Sequence, residues 1–107
     1  MPDRDPHNLN FYWSTLFVRS LYEQGITRII ISPGSRSTPL TLAFVAHPGF
    51  TKIINIDERS AAFMALGMSK VDKVPTCLLC TSGSAVANYF PAIIEASQSN
   101  IPLLVLS

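Results

Sequence analysis

The sequence predicts an α/β fold: an open, mostly parallel sheet with helices on both faces. Short apolar runs, such as residues 29–31 and 103–106, alternate with longer stretches of helical periodicity, a pattern typical of βα units. Runs that are apolar at every position indicate strands buried on both faces. Right-handed crossovers between successive parallel strands then place helices on both sides of the sheet.

The elements are predicted in the order αβαβαβαβ. The first helix covers residues 10–24, and Gly25 ends it as a C-terminal glycine. The other predicted elements are strands at 29–31, 52–56, 76–80 and 103–106, and helices at 40–46, 58–71 and 84–99. Pro91 is expected to perturb the last helix, because proline interrupts helical hydrogen bonding.

The composition indicates one domain that does not bind polyanions. A chain of 107 residues is long enough for one domain, and a net charge of +1 with a pI near 7.8 gives no sign of nucleic-acid binding. Charged residues make up only 14% and the mean hydropathy is +0.30, yet no apolar run reaches the ~18 residues that span a bilayer. The surplus apolar surface is expected to pack against other domains or subunits.

The two ends of the chain lead to separate predictions. Residues 1–9 are polar and contain two prolines, which predicts a disordered lead-in and not a secretory signal, and hence a cytoplasmic protein. Residues 10–107 are expected to form part of a domain. Because the chain stops directly after its last strand, we expect further chain or a partner to cover that strand.

Cys77 and Cys80 form a C-x-x-C pattern that is not expected to bind metal or to form a disulfide. Both lie in one predicted strand, where residues three apart point to opposite faces. They are predicted to be buried, reduced thiols.

Polar loops follow the first three strands and are expected at one edge of the sheet. They cover residues 32–39, 57–58 and 81–84, and open α/β sheets bind ligands at the carboxyl ends of their strands. No standard phosphate-loop pattern is present. From position alone, Glu58 could be a site carboxylate or simply an acid favoured by the helix dipole. Arg36 could equally be a surface charge or a partner of Asp57.

Four segments resemble one enzyme family. They are ISPGSRSTPL at 31–40, DERSAAF at 57–63, CTSGSAVAN at 80–88 and PAIIEA at 91–96. They look like the N-terminal region of the MenD family, the thiamine diphosphate-dependent 2-succinyl-5-enolpyruvyl-6-hydroxy-3-cyclohexene-1-carboxylate synthases. The resemblance covers about residues 10–107 and implies part of a pyrimidine-binding domain. The SPGSRSTP run is specific to this family, whereas the glutamate and the T-S-G turn also occur in related decarboxylases and acetolactate synthases.

The resemblance implies roles for individual residues. Glu58 would be catalytic, binding a ring nitrogen of the cofactor's aminopyrimidine and promoting its imino tautomer. The other implied site residues are Pro33, Thr81 and Ser82 for the cofactor, and Ser35 and Arg36 for the substrate. The ligands of Mg²⁺ are expected outside this chain.

The resemblance also implies a reaction and partners for the full-length protein. It would decarboxylate 2-oxoglutarate and add the resulting succinyl carbanion equivalent to isochorismate, in menaquinone or phylloquinone biosynthesis. It would act as a homo-oligomer, a dimer or tetramer, with the other half of the site in another subunit, so the isolated chain is expected to be inactive. Two alternatives remain open. One is another thiamine diphosphate carboligase, similar to acetolactate synthase; the other is a noncatalytic ligand-binding or dimerisation domain.

Overall fold

Four parallel strands form a single sheet at the centre of the molecule. The computed structural model describes residues 6–34, 38–81 and 84–106. The strands are β1 (Arg28–Ile31), β2 (Thr51–Ile54), β3 (Thr76–Leu79) and β4 (Leu103–Leu106). They lie in the order β2-β1-β3-β4, and every neighbouring pair is parallel. The predicted fold class is confirmed.

Helices cover both faces of the sheet. They are α1 (Pro6–Glu23), α2 (Thr38–Ala46), α3 (Glu58–Asp72), α4 (Ser84–Ala87) and α5 (Phe90–Gln98). Residues of α1 and α2 share one buried cluster with the sheet, and residues of α3 and α5 share another. No helix in the described part of the chain is both long and apolar enough to cross a membrane.

The strand side chains divide between these two clusters in strict alternation. In β1, Ile29 and Ile31 face α1 and α2, whereas Ile30 faces α3, because successive strand residues point to opposite faces. Cys77 and Cys80 accordingly lie in different clusters, and both are buried and free. The prediction of two separate core thiols is confirmed. Burial raises the pKa of the Cys77 thiol to about 12.

Two of the predicted helices differ from their expected bounds by more than one or two residues at an end. The first begins at Pro6, where proline is tolerated because the first helical N–H has no partner within the helix. Residues 6–9, expected in the disordered lead-in, are therefore helical, and residues 1–5 lie outside the described residues. The helix predicted at 84–99 is divided into α4 and α5. Pro91, in the first turn of α5, cannot donate a hydrogen bond to the carbonyl of Ala87, and its ring would clash with that carbonyl.

Two strands end earlier than predicted. The second strand was expected to reach Ile56 but ends at Ile54, and the third ends at Leu79 and not at Cys80. Asn55 still donates its N–H to Ile31 over 3.0 Å, and Cys80 donates to Leu106 over 3.2 Å. The chain then turns away, so the polar loops begin one or two residues sooner.

An ion pair fixes the amino-terminal edge of the sheet. The guanidinium of Arg28, the first residue of β1, binds both carboxylate oxygens of Asp72 and the carbonyl of Val74. Asp72 is the last residue of α3, and the next residue, Lys73, adopts a left-handed conformation with φ of 63°. This cluster holds the end of α3 against the start of β1.

Candidate active site

The carboxyl ends of the strands lie at one level, which brings three polar loops together. Ile31 is in register with Ile54 on one side and with Leu79 on the other, and Leu79 is in register with Leu106. The loops that follow β1, β2 and β3 therefore leave from the same edge, called here the carboxyl edge. This confirms the predicted location of the loops.

Ser32 links three strand ends at the carboxyl edge. Its side chain is fully buried, and its hydroxyl donates to the carbonyl of Asn55 over 2.7 Å. Its backbone N–H donates to the carbonyl of Leu79 over 2.8 Å. The loops after β1 and β2 are thus held together at the point where the polar sequence begins.

Asp57 serves the helix and not a ligand. Its Oδ1 accepts from the N–H of Arg59 over 3.0 Å, and its Oδ2 accepts from the hydroxyl of Ser60 over 3.3 Å. This is an N-cap, which satisfies backbone donors that have no partner in the first helical turn. The side chain of Asn55 supports the turn by accepting from the N–H of Asp57 over 3.1 Å.

Glu58 is the first residue of α3, and its carboxylate is not used in capping. Ala61 and Ala62 are completely buried, and residues three and four positions apart share a helix face. Glu58 therefore belongs to the face of α3 that packs on the sheet, although its own side chain is only half-buried. Its carboxylate has no hydrogen-bonding partner among the described residues. A carboxylate with these properties can exchange a proton with a bound ligand.

The loops after β1 and β3 touch at Gly34 and Thr81. A Cβ atom placed on Gly34 would lie 2.5 Å from the Cβ of Thr81, a distance that no real pair of such atoms adopts. Only glycine allows this approach. Gly34 therefore brings the polar loops of two neighbouring strands into contact beside α3.

Beneath this surface lies the phenol of Tyr89, from the turn between α4 and α5. Its side chain is fully buried, in the same cluster as Cys80, Ala61 and Ala62. Burial raises the pKa of Tyr89, the Cys80 thiol and the Glu58 carboxylate raise it further, and the Ser32 hydroxyl lowers it. These groups therefore lie near the phenol, yet its oxygen forms no hydrogen bond of ordinary geometry with any described residue.

The structure tests the positions of three predicted site residues. Pro33, Glu58 and Thr81 all lie at the carboxyl edge, Pro33 exposed and the other two half-buried. Ser35, Arg36 and Ser82 lie outside the described residues. The described residues on either side of them, Gly34, Thr38 and Thr81, belong to the same edge of the sheet. The roles proposed for all six remain predictions.

Sequence reasoning missed two residues of this edge. Ser32 was assigned only to a loop, and its complete burial directly after an apolar strand was not anticipated. Tyr89 falls inside the helix predicted at 84–99, which Pro91 was expected to perturb, and the sequence gives no sign of its burial beneath this edge. The break that Pro91 causes lies at residues 88 and 89, which form a turn between α4 and α5.

No metal centre is evident in the part of the chain that the structure describes. No group of three or more His, Cys, Asp or Glu side chains there is close enough together to hold an ion. Among its described residues, this edge carries the Glu58 carboxylate and the hydroxyl groups of Ser32 and Thr81.

The sequence matches a known domain family over most of its length. Residues 13–107 match the family described as "Thiamine pyrophosphate enzyme, N-terminal TPP binding domain". Among solved structures, the chain is similar to benzoylformate decarboxylase from Polynucleobacter necessarius. The TM-score is 0.75 at 21% identity, covering 89% of this chain and 17% of that one. At that identity the likeness concerns the fold.

Curated relatives with higher identity share one name, 2-succinyl-5-enolpyruvyl-6-hydroxy-3-cyclohexene-1-carboxylate synthase. The protein of Trichodesmium erythraeum (strain IMS101) is 55% identical over 96% of this chain. That of Rippkaea orientalis (strain PCC 8801 / RF-1) is 52% identical over 96%, and that of Geobacillus kaustophilus (strain HTA426) is 54% identical over 89%. The chain spans only 18%, 17% and 16% of the length of these relatives, respectively.

Proposed function

We propose a function from one premise: this chain belongs to the thiamine pyrophosphate enzymes, as their N-terminal TPP binding domain. We infer that its carboxyl edge holds the aminopyrimidine end of the cofactor, also called thiamine diphosphate, and that Glu58 exchanges a proton with a ring nitrogen there. The observation that carries this proposal is the position of Glu58. It starts α3 at the carboxyl edge, and its carboxylate is free of partners among the described residues.

The residues at this edge fit an aminopyrimidine. Such a ring has flat apolar faces and nitrogen atoms that form hydrogen bonds, and Glu58 supplies an acceptor to which no described residue donates. The side chain of Thr81 lies directly against Gly34, so the loops after β1 and β3 are in contact at this edge. Pro33, Thr81 and Ser82 are the further residues proposed to hold the ring.

The cofactor and the protein chain contribute different chemistry. Thiamine diphosphate, when bound, supplies a carbon nucleophile for 2-oxo acids, the step that protein side chains cannot perform. The chain's own part is to bind and orient the pyrimidine and to hold a proton at Glu58. The asparagine–aspartate turn before α3 fixes the helix start through Asn55 and Asp57, so Glu58 is held at a defined place.

For the full-length protein we propose the reaction named by its relatives. It would decarboxylate 2-oxoglutarate and add the succinyl unit to isochorismate, as expected of a 2-succinyl-5-enolpyruvyl-6-hydroxy-3-cyclohexene-1-carboxylate synthase. Identities of 52–55% over 96% of the chain support this specificity. Both substrates are carboxylates, and Arg36 with Ser35 is proposed to bind one of them, because a guanidinium binds a carboxylate through two parallel hydrogen bonds.

The diphosphate and Mg²⁺ are proposed to bind to a part of the protein outside this chain. The family resemblance implies this arrangement, in which Mg²⁺ binds to carboxylates and phosphate oxygens, and no group of three or more His, Cys, Asp or Glu side chains among the described residues could hold an ion. We further propose a cytoplasmic homo-oligomer, in which another subunit completes the site. Exposed apolar side chains, among them Trp13 at 61% and Phe90 at 55% exposure, supply surface for such contacts.

The decisive experiment replaces Glu58 with Gln in the full-length protein. Glutamine keeps the size and one hydrogen bond but cannot carry the proton. With saturating cofactor, deuterium exchange at the thiazolium carbon should slow by about two orders of magnitude or more. Glu23→Gln is the matched control, because Glu23 is exposed at the end of α1, and it should leave the rate unchanged. An exchange rate for Glu58→Gln within about twofold of wild type would overturn the proposal.

A further inference from the structure

Tyr89 carries a buried hydroxyl whose presence the packing of the fold does not explain. It is the largest of the fully buried side chains that the structure describes. Its hydroxyl lies near the Cys80 thiol and the Ser32 hydroxyl but forms no hydrogen bond of ordinary geometry with any described residue. Burying a hydroxyl without a partner costs free energy, so native structures seldom do it without a reason. Phenylalanine would fill the same space without this cost. The presence of the hydroxyl therefore indicates either a hydrogen-bonding partner that is available only in another state of the protein or a functional role.

The position of Tyr89 relates it to Glu58. Its side chain belongs to the same buried cluster as Ala61 and Ala62, and these residues follow Glu58 by three and four positions. In a helix such residues lie on one face, and their side chains tilt toward the N-terminus of the helix. The face of α3 that carries Glu58 is therefore the face under which Tyr89 lies.

The electrostatics agree with this placement. Burial raises the pKa of both Tyr89 and Cys80, and the negative charge of Glu58 adds a smaller increase to each, which agrees with a carboxylate in the neighbourhood of both groups. The phenol therefore stays protonated at neutral pH and can act only as a donor toward a carboxylate. The phenol of Tyr89, a donor, and the carboxylate of Glu58, an acceptor, therefore lie in the same region at the carboxyl edge.

We propose that Tyr89 is a positioning residue whose hydroxyl donates a hydrogen bond to the carboxylate of Glu58 when the cofactor is bound. The inference rests on the proposed function, because it assigns Tyr89 to the orientation of the same carboxylate. One carboxylate oxygen of Glu58 then faces the pyrimidine, while the other accepts the hydrogen bond from Tyr89. A carboxylate is a stronger acceptor than a thiol or a hydroxyl, so Glu58 is favoured over Cys80 and Ser32.

The test is Tyr89→Phe in the full-length protein, read out in two ways. Without cofactor, the variant should unfold at the same or a higher denaturant concentration, because it loses a hydroxyl that has no partner. With cofactor, the dissociation constant of thiamine diphosphate should rise about three- to tenfold, and deuterium exchange at the thiazolium carbon should slow by a similar factor, as expected for one hydrogen bond. A purely structural role would move stability and affinity in the same direction.

Two further variants separate the possible outcomes. Tyr22→Phe removes the hydroxyl of a tyrosine on α1 that is 42% exposed, and should change neither quantity. In the Glu58→Gln background, Tyr89→Phe should cause no further slowing of exchange, because both act through one carboxylate.

The inference is overturned if Tyr89→Phe leaves affinity and exchange within twofold of wild type, or if its effect persists undiminished in the Glu58→Gln background. It is also overturned if the cofactor-free variant is less stable than wild type, since the hydroxyl would then already have a partner. These results differ from a failure of the proposed function, in which Glu58→Gln itself leaves exchange unchanged.

Discussion

The hydroxyl of Ser32 donates a hydrogen bond to the main-chain carbonyl of Asn55 over 2.7 Å, from a side chain that is completely buried. Asn55 in turn supports the N–H of Asp57, the residue that caps α3. A chain of three hydrogen-bonded residues therefore connects the end of β1 to the helix turn that carries Glu58. The position of Glu58 depends on contacts made by a different strand.

Replacing Ser32 with Ala should lower the free energy of unfolding by about 1–3 kcal/mol, because the Asn55 carbonyl loses its side-chain donor in a half-buried site. Urea unfolding of the full-length protein measures this. Ser99→Ala is the control, since Ser99 is exposed and its hydroxyl makes only a 3.5 Å contact with Glu95; a change within about 0.5 kcal/mol is expected. Equal stability of Ser32→Ala and wild type would contradict the importance of this bond.

Gly34→Ala and Gly67→Ala should have opposite effects on stability. A methyl group on Gly34 would collide with Thr81, so the loops must separate, at a cost of about 1–3 kcal/mol. Nothing lies within 4 Å of a Cβ on Gly67, which is exposed in the middle of α3. Alanine there should stabilise the helix by roughly 0.5–1 kcal/mol.

Denaturation midpoints of the two glycine variants and wild type provide the measurement, and cofactor affinity should fall only for Gly34→Ala. If Gly34→Ala proved as stable as wild type and bound the cofactor equally well, the close approach of the two loops would not matter for the site.

Asp72→Asn should make the protein less stable at neutral pH but not at acid pH. Hydrogen bonds from Arg28 and from the N–H of Val74 lower the pKa of Asp72 below its ordinary value of 3.8. A carboxyl whose pKa is lower in the folded state stabilises that state above the unfolded pKa, and this contribution is lost as the pH falls through the folded pKa.

The stability difference between wild type and Asp72→Asn, measured by urea unfolding from pH 7 downward, should therefore be constant near neutrality and shrink below about pH 4. High salt should reduce the difference at pH 7, because Asp72 is 42% exposed. A difference that stays the same down to pH 2 would show that the ion pair is not its source.

Arg36→Lys should weaken substrate use by roughly 1.5–3 kcal/mol in kcat/KM, because lysine keeps the charge but loses the two parallel hydrogen bonds to a carboxylate. Thiamine diphosphate affinity should stay within about twofold, since Arg36 is assigned to the substrate. The control is Arg19→Lys, in an exposed position of α1. Unchanged kinetics of Arg36→Lys with both 2-oxoglutarate and isochorismate would leave Arg36 without a role in binding.

The sheet and its functional edge could be predicted because they depend on local patterns. Residues 29–31 are β-branched and apolar without interruption, which indicates a strand covered on both faces. Once successive strands are taken as parallel, the loops after them must meet at one edge. Glu58 could be placed there without knowledge of any side-chain contact.

The position of Tyr89 beneath the site could not be predicted in the same way. A tyrosine among apolar residues is equally compatible with an ordinary core position, and only the convergence of α3, β3 and the α4–α5 turn shows that the hydroxyl of Tyr89 lacks a partner. In the sequence alone, Gly34 is indistinguishable from an ordinary turn glycine between a strand and a helix. Position 34 is restricted to glycine by its contact with Thr81, which belongs to a segment far away in the sequence.

The strand order has a consequence for how the site forms during folding. β1 pairs with β2, which follows it in sequence, and also with β3, which arrives only after α3. Contacts between distant segments form slowly because more chain must be ordered first. Until residues 76–81 insert beside β1, the Ile29–Ile31 segment presents an open apolar strand edge, which can pair with other chains. During synthesis from the N-terminus, Glu58 therefore emerges before Thr81 and Tyr89, and conditions that delay β3 should favour aggregation through β1.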